Sequence, residues 1–392
     1  MSTEIIARHF DTQRPVRLVI EGRTIGSIEP TDADDAESLP LVCPGLFDIQ
    51  VNGWGGTWFS QADLAPADVA RIVAEFLPHG VTRLYPTLIT NSFASLEAGF
   101  RAIAAACEEF PLAAEMIPGC HLEGPYISAE DGPRGAHPLD QIRPADWEEF
   151  SALQAASGNR IRLITLAPEV PGAIEFIRQA VDAGVVVSIG HTAAQPEEIG
   201  AAAEAGATLS THLGNGAHGM IRRHPNYIWE QLADDRLTAS IITDGFHLPK
   251  SVVRTILRTK PPGNVLITCD ASGYAGCAPG VYHGESGAVE VLEDGRIVVA
   301  GQRQFLAGSG AATAECVAGA MRLGDLSLAE AIRMATEVPE RLMGAEPIRL
   351  EAGSRADLCL FHVEPGPRLR VAGTMVAGCW ERGIGRGEGS GE

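Results

Sequence analysis

The sequence has little positive charge to set against its acids: 30 Lys and Arg face 50 Asp and Glu, a formal net charge of −20. That balance repels a phosphate backbone, and no Lys/Arg cluster with interleaved aromatics offsets it, so nucleic acid is excluded as a partner. An anionic small molecule would meet the same repulsion and would need local arginines and backbone donors to bind. Nowhere is there an apolar run of the roughly 18 residues that a bilayer span demands. The start, Met1 to Phe10, also lacks a basic segment followed by an apolar core. No membrane partner and a cytoplasmic location are therefore expected. The eight cysteines (43, 107, 120, 269, 277, 316, 359 and 379) stand singly, without a C-x-x-C pair or a dense framework, and are expected to be reduced core residues. Low complexity is confined to the Gly-rich tail after Arg382, which is expected to be mobile.

What the chain does have is length and repeated apolar runs. Its 392 residues, 45% hydrophobic and 20% charged, suit a barrel of about 250 residues plus a smaller module. Residues 3–9 and 16–29 alternate like short strands, with turn signals at Glu21-Gly22 and Gly26, before an acidic loop from Thr31 to Glu37. From Val42 the pattern becomes apolar strands separated by Ala-rich amphipathic segments, the signature of βα units. Eight strands are expected, at 43–52, 81–89, 115–123, 161–167, 185–191, 207–213, 237–244 and 264–270. Helices such as Pro66–Leu77, Ser95–Glu109, Gly172–Ala183 and Pro196–Ala205 come between the early ones. Eight such units predict an α/β fold, a (β/α)₈ barrel over 43–345. A hairpin turning at Glu293-Asp294-Gly295 is expected within Gly284–Gly301, followed by helices near 311–322 and 328–343. Since both chain ends read as β, residues 1–42 and 346–392 are expected to join in one small β-sandwich.

Four of the runs end on residues that bind metals or move protons: Glu123, His191, His212 and Asp270. In a parallel barrel the strand C-termini converge on one face, so these ends predict one shared site. Glu123, His191 and His212 offer one oxygen and two imidazole nitrogens, which suits Zn²⁺ or Fe²⁺ and leaves a position open for water. Asp270 could accept a proton from that water and pass it to a leaving amine.

These residues and their surroundings resemble the amidohydrolase superfamily, and within it the N-acetylglucosamine-6-phosphate deacetylases. The resemblance rests on Pro44-Gly45-Leu46-Phe47-Asp48-Ile49-Gln50-Val51-Asn52-Gly53, His121-Leu122-Glu123-Gly124-Pro125, Gly135-Ala136-His137, Gly190-His191-Thr192, Thr211-His212-Leu213, Thr243-Asp244-Gly245-Phe246-His247 and Cys269-Asp270-Ala271. It implies a hydrolase that frees acetate from an N-acetyl amino sugar, with Asp270 as general base and acid. By the same resemblance His247 binds substrate and polarises the acetyl carbonyl, and His137 contacts the sugar. Most amidohydrolases carry His-x-His on the first strand for a second metal. Here Gln50-x-Asn52 replaces it, which implies one divalent ion per chain and vestigial second-metal positions. After His212 the family's aromatic-Asn-Ala becomes Gly214-Asn215-Gly216, retaining Asn215. Counting on without a gap, Arg223 falls on the family's phosphate-binding arginine, which implies a homodimer whose arginine reaches the neighbouring site. Another amide hydrolase on the same scaffold, or a non-catalytic metal-binding protein, is the alternative that the residues leave open.

Overall fold

A computed structural model of the chain describes residues 2–33, 35–284, 287–366 and 368–382; the tail after Arg382 and its expected mobility lie outside the described residues. Eight parallel strands pair in chain order: β1 (Leu46–Val51), β2 (Val81–Ile89), β3 (Cys120–Glu123), β4 (Ile161–Leu166), β5 (Val186–Ile189), β6 (Leu209–Ser210), β7 (Thr238–Ile241) and β8 (Val265–Ile267). After β1 to β8 in turn the chain returns along Pro66–Glu75, Phe93–Glu109, Trp147–Ala156, Ala173–Asp182, Pro196–Glu204, Tyr227–Ala233, Lys250–Thr259 and Thr313–Gly324. This is the (β/α)₈ barrel that the repeats predict. The helix starts are written locally. Pro66 and Pro196 open their helices, where a missing N–H is harmless. The side chains of Ser92, Asp146 and Asn226 accept the first free N–H groups of theirs. Val69, Ile72 and Val73 then bury one face of the first helix at helical spacing.

The ring closes between β1 and β8 through a single parallel bridge, Val51 to Ala271, and through one carboxylate. Asp48, wholly buried, accepts four hydrogen bonds: from Gln50 N (3.0 Å), Thr268 Oγ1 (2.6 Å), Cys269 N (2.9 Å) and Thr313 Oγ1 (2.8 Å). Burial raises its pKa even against these donors. Asp48→Ala would strand the donors in a dry seam. Since each unsatisfied buried donor costs about 1–3 kcal/mol, we expect a loss of at least about 3 kcal/mol, read as a lower urea midpoint. An unchanged midpoint would show that the seam holds without it.

The structure departs from the expected elements in definite places. Residues 115–119 are not strand, because Pro111 starts a short helix to Met116 and β3 begins only at Cys120. The expected helix 328–343 is two, Leu328–Met334 and Glu337–Leu342. Pro339 lacks an N–H and its ring would press on the carbonyl of Ala335, which instead accepts from Phe47 N at 2.8 Å. Gly26 is no turn but lies inside the strand Thr24–Pro30, beside a register shift; Gly22, with φ 59°, makes the turn. The hairpin does turn at Gly295, but it belongs to a four-stranded sheet spanning Gly280–Leu306.

Both chain ends meet in one seven-stranded sheet, in the order Cys379–Arg382, Arg368–Val376, Leu358–Glu364, Leu41–Pro44, Ser2–His9, Pro15–Glu21 and Thr24–Pro30. Its alternation buries Ile5, Leu18, Ile20, Val42, Leu358, Leu360 and Met375 in a core separate from the barrel's. Six cysteines are buried, as expected; Cys277 is half-buried and Cys379, on an edge strand, is exposed. No described helix is long and apolar enough to cross a membrane.

Candidate metal centre and active site

Along the barrel lumen the chemistry begins where apolar side chains give way to hydroxyls. Phe47, Ile49, Tyr85, Leu163, Leu209 and Leu266 pack together at the base. Two residues further on, within β2 and β4 and just past the ends of β6 and β8, stand buried threonines: Thr87, Thr165, Thr211 and Thr268. Successive residues on one face of a strand are two apart, so these form the next layer up. Thr165 Oγ1 lies 2.8 Å from His121 Nε2 and 2.7 Å from Thr211 Oγ1, so the hydroxyls satisfy one another. Burial lowers the pKa of His121 to about 4, making it a neutral strut beneath the site.

One layer higher stand the expected ligands, all buried. Glu123 Oε1 is 3.2 Å from His191 Nε2 and 3.1 Å from His212 Nε2, and the two ring nitrogens are 3.1 Å apart. Burial alone would raise the Glu123 carboxyl, but the two imidazoles override it and hold the pKa well below the usual range. His191 Nδ1 donates to the Pro133 carbonyl at 2.8 Å, which leaves Nε2 with its lone pair towards the cluster. One carboxylate oxygen and two imidazole nitrogens within 4.8 Å of one another fit a single divalent ion.

The strand ladders stop short of the lengths expected because their last residues leave the extended region. His191, His212 and Asp270 have φ of 51°, 29° and 50°. Left-handed backbone at non-glycine residues costs about 1–3 kcal/mol each and concentrates at functional sites. The altered loop after β6 has a local reason: a Cβ on Gly216, itself at φ 55°, would sit 2.9 Å from His191 Nδ1. Only glycine lets that loop close over the ring.

Asp270 is half-buried, and its Oδ1 accepts from Asn52 Nδ2 at 2.7 Å. Burial first and the charge of Glu123 second push its pKa up to about 6, against the opposing pull of His212, His247 and Asn52. Gln50 Nε2 donates to Glu123 Oε1 at 2.9 Å. His247 Nδ1 donates to Asp244 Oδ2 at 2.7 Å, and Asp244 Oδ1 also accepts Phe246 N and His247 N. Burial alone would raise the Asp244 carboxyl; its bond to His247 holds it below the usual range. His137 packs edge-on against His191, ring centroids 4.3 Å apart, with Nδ1 2.7 Å from Thr90 Oγ1; burial lowers its pKa to about 3. Asn215 Nδ2 donates to the His212 carbonyl at 3.2 Å.

Arg223 stands apart from this group. It is exposed on the loop after β6, and among the described residues its guanidinium makes no ion pair or hydrogen bond; only its carbonyl is used, by Asn226 Nδ2. Sequence reasoning gave no role to Asp48, Asp244, Thr90 or the Pro133 carbonyl. The spacing of Asp244 three residues before His247 was a usable signal for an Asx turn; a backbone carbonyl brought from a distant loop leaves none.

A family model described as the amidohydrolase family matches residues 41–380. The chain belongs to that family. Among curated amidohydrolase relatives, N-acetylglucosamine-6-phosphate deacetylase of Bos taurus is 33% identical over 380 residues, covering 93% of this chain and 88% of its own. N-acetylgalactosamine-6-phosphate deacetylase of Escherichia coli O157:H7 is 32% identical over 347 residues, covering 87% and 89%. An aspartate-to-alanine mutant of N-acetyl-D-glucosamine-6-phosphate deacetylase from Mycobacterium smegmatis, in complex with N-acetyl-D-glucosamine-6-phosphate, superposes with a TM-score of 0.85. It is 30% identical and covers 97% of this chain and 100% of its own. Glu123, His191 and His212 are thus the candidate metal cluster of this family member, with Asp270 just past the end of β8.

Proposed function

We propose that this amidohydrolase removes the acetyl group from N-acetylglucosamine 6-phosphate, giving glucosamine 6-phosphate and acetate, with one divalent ion per chain held by Glu123, His191 and His212. Zinc is favoured over iron for this donor set, although the same atoms serve both. The observation that carries the reading is the placement of Asp270, just past the end of β8 and bonded to Asn52, beside the cluster that fits the ion. A divalent ion held there would supply Lewis acidity and bring the pKa of a water down to about 7. Asp270 takes the proton of the attacking water at the oxygen that Asn52 leaves free. It returns that proton to the amide nitrogen as the C–N bond breaks and acetate gains its second oxygen. His247, oriented by the bond from its Nδ1–H to Asp244, polarises the acetyl carbonyl as the imidazolium, whose Nε2–H donates to that oxygen. His137 and Asn215 contact the sugar. The reading places the protein in the cytoplasm and divides the chain into a catalytic unit over 43–345 and an end unit of 1–42 with 346–392.

The Escherichia coli relative named for the galactosamine epimer, at 32% identity, favours that sugar as a second reading. Acetate release from both phosphorylated epimers, their unphosphorylated forms and N-acyl amino acids separates the possibilities. Turnover confined to N-acyl amino acids would reject both sugars.

A homodimer completes the proposal. The unpaired Arg223 lies beside unusually exposed apolar side chains, with Met220 at 93%, Ile221 at 40% and Trp229 at 52% exposure. Covering them with a second subunit would carry the arginine to that subunit's site. If Arg223 clamps the phosphate, Arg223→Ala should lower kcat/KM at least about tenfold for the phosphorylated sugar, since a charge-assisted hydrogen bond is worth about 1.5–3 kcal/mol. The unphosphorylated sugar should be barely affected; equal losses on both would reduce Arg223 to a loop residue. Mixing Asp270→Asn and Arg223→Ala chains should regenerate some intact sites. If subunits exchange and activity does not recover, the cross-subunit clamp is wrong.

A further inference from the structure

The two buried amides at the end of β1 each donate to a carboxylate of the site: Gln50 Nε2 to Glu123 Oε1 at 2.9 Å and Asn52 Nδ2 to Asp270 Oδ1 at 2.7 Å. An ionised carboxylate only accepts hydrogen bonds, so chemistry fixes the orientation of both amides. The reverse orientation would set oxygen against oxygen. Asn52 holds this orientation although it leaves its own Oδ1 buried without a partner. The backbones beneath are pinned as well. Gln50 N donates to Asp48 and Gln50 O accepts from Thr268 Oγ1. Asn52 N donates to Ala271 O and Asn52 O accepts from Phe59 N, both at 2.9 Å. Neither side chain therefore drifts into its contact; each is aimed.

We propose that Gln50 and Asn52 are positioning residues rather than vestiges: Gln50 orients Glu123 for the metal, and Asn52 holds one oxygen of Asp270 so that the other carries the proton. The inference rests on the roles proposed for Glu123 and Asp270 and assigns their support. Two carboxylates face one site here, Glu123 buried and Asp270 half-buried. An amide N–H gives each carboxylate a fixed partner without adding a charge to the site. In this orientation the N–H groups, not the amide oxygens, meet the carboxylates. Neither amide can then ligate a second cation beside its carboxylate without first breaking that bond.

The test for Asn52 uses Asn52→Leu and Asn52→Ala; both remove the donor without adding a charge. Each should lower kcat about 10- to 100-fold with KM and Zn²⁺ affinity within about twofold. In an Asp270→Asn background the same substitutions should cost less than about twofold, because no general base is left to orient. A further tenfold loss there, or near-normal kcat in both single variants, would overturn the role of Asn52. For Gln50 the readout is metal binding without substrate, measured on metal-free protein by competition with a chromophoric chelator. Gln50→Met should weaken Zn²⁺ about 10- to 100-fold, the usual effect of losing a partner of a metal-bound side chain. Gln50→Leu should do the same and serves if the Met variant fails to fold; unchanged affinity in a folded variant overturns the role of Gln50. Near-normal turnover in Asp270→Asn alone would instead reject the function proposed for Asp270, and the metal titration would still decide the case of Gln50.

Discussion

Asp270→Asn should bind metal and substrate almost normally and turn over about 10²–10⁴-fold more slowly, the usual contribution of a general acid–base group. The substitution keeps the shape of the side chain, and its amide can still meet Asn52, so the fold at the end of β8 should survive. What it removes is the carboxylate oxygen proposed to take a proton from water and release it to an amine. The acid limb of the wild-type profile follows from the same residue. A base must be ionised to work, so kcat/KM should fall as pH drops through the pKa of Asp270, which stands at about 6 in the metal-free chain. A bound cation favours the carboxylate and can only move that limb lower. An acid limb centred above pH 7, or turnover near normal in Asp270→Asn, would remove Asp270 from the mechanism.

The barrel and the heart of the site were legible because both are written in short-range pattern. Apolar runs ending on Glu123, His191, His212 and Asp270 specify strand ends, and a parallel barrel brings strand ends together whatever the loops do. The supports of those residues are not written that way. The Pro133 carbonyl that fixes the His191 tautomer lies 58 positions away, and Asn52 meets Asp270 across 218. Only closure of the ring makes them neighbours. Strand lengths were overestimated for a related reason: the positive φ of His191, His212 and Asp270 is imposed by the site, against the preference of those residues, so no propensity reveals it. The split at Ala335-Thr336 was readable in principle, since Pro339 stands in the middle of the expected helix. The end sheet was legible as β character at both termini. Its pairing through Leu41–Pro44, the segment leading into β1, depends on long-range register that alternation alone does not set.

Stripping the metal should nearly abolish turnover, because a water without the ion would have a pKa towards 15.7 rather than about 7. We expect chelator-treated protein to lose more than about a thousandfold of its activity and to recover it at one equivalent of Zn²⁺ per chain. The stoichiometry follows from the donor set: among the described residues Glu123, His191 and His212 form a single cluster, and the amides of Gln50 and Asn52 are turned towards carboxylates. A requirement for two equivalents at full activity would contradict it. The assignment can also be tested without substrate. An ion that binds only the folded chain stabilises it by about 2.7 kcal/mol at a free concentration near 100 times Kd, so Zn²⁺ should raise the Tm of the metal-free protein. His212→Ala removes one of the three ligand atoms and leaves Glu123 with one imidazole fewer to balance its buried charge. That variant should therefore show a lower Tm than the metal-free wild type and almost no rise on adding Zn²⁺. Equal Zn²⁺-induced shifts in the two proteins would place the ion elsewhere in the chain.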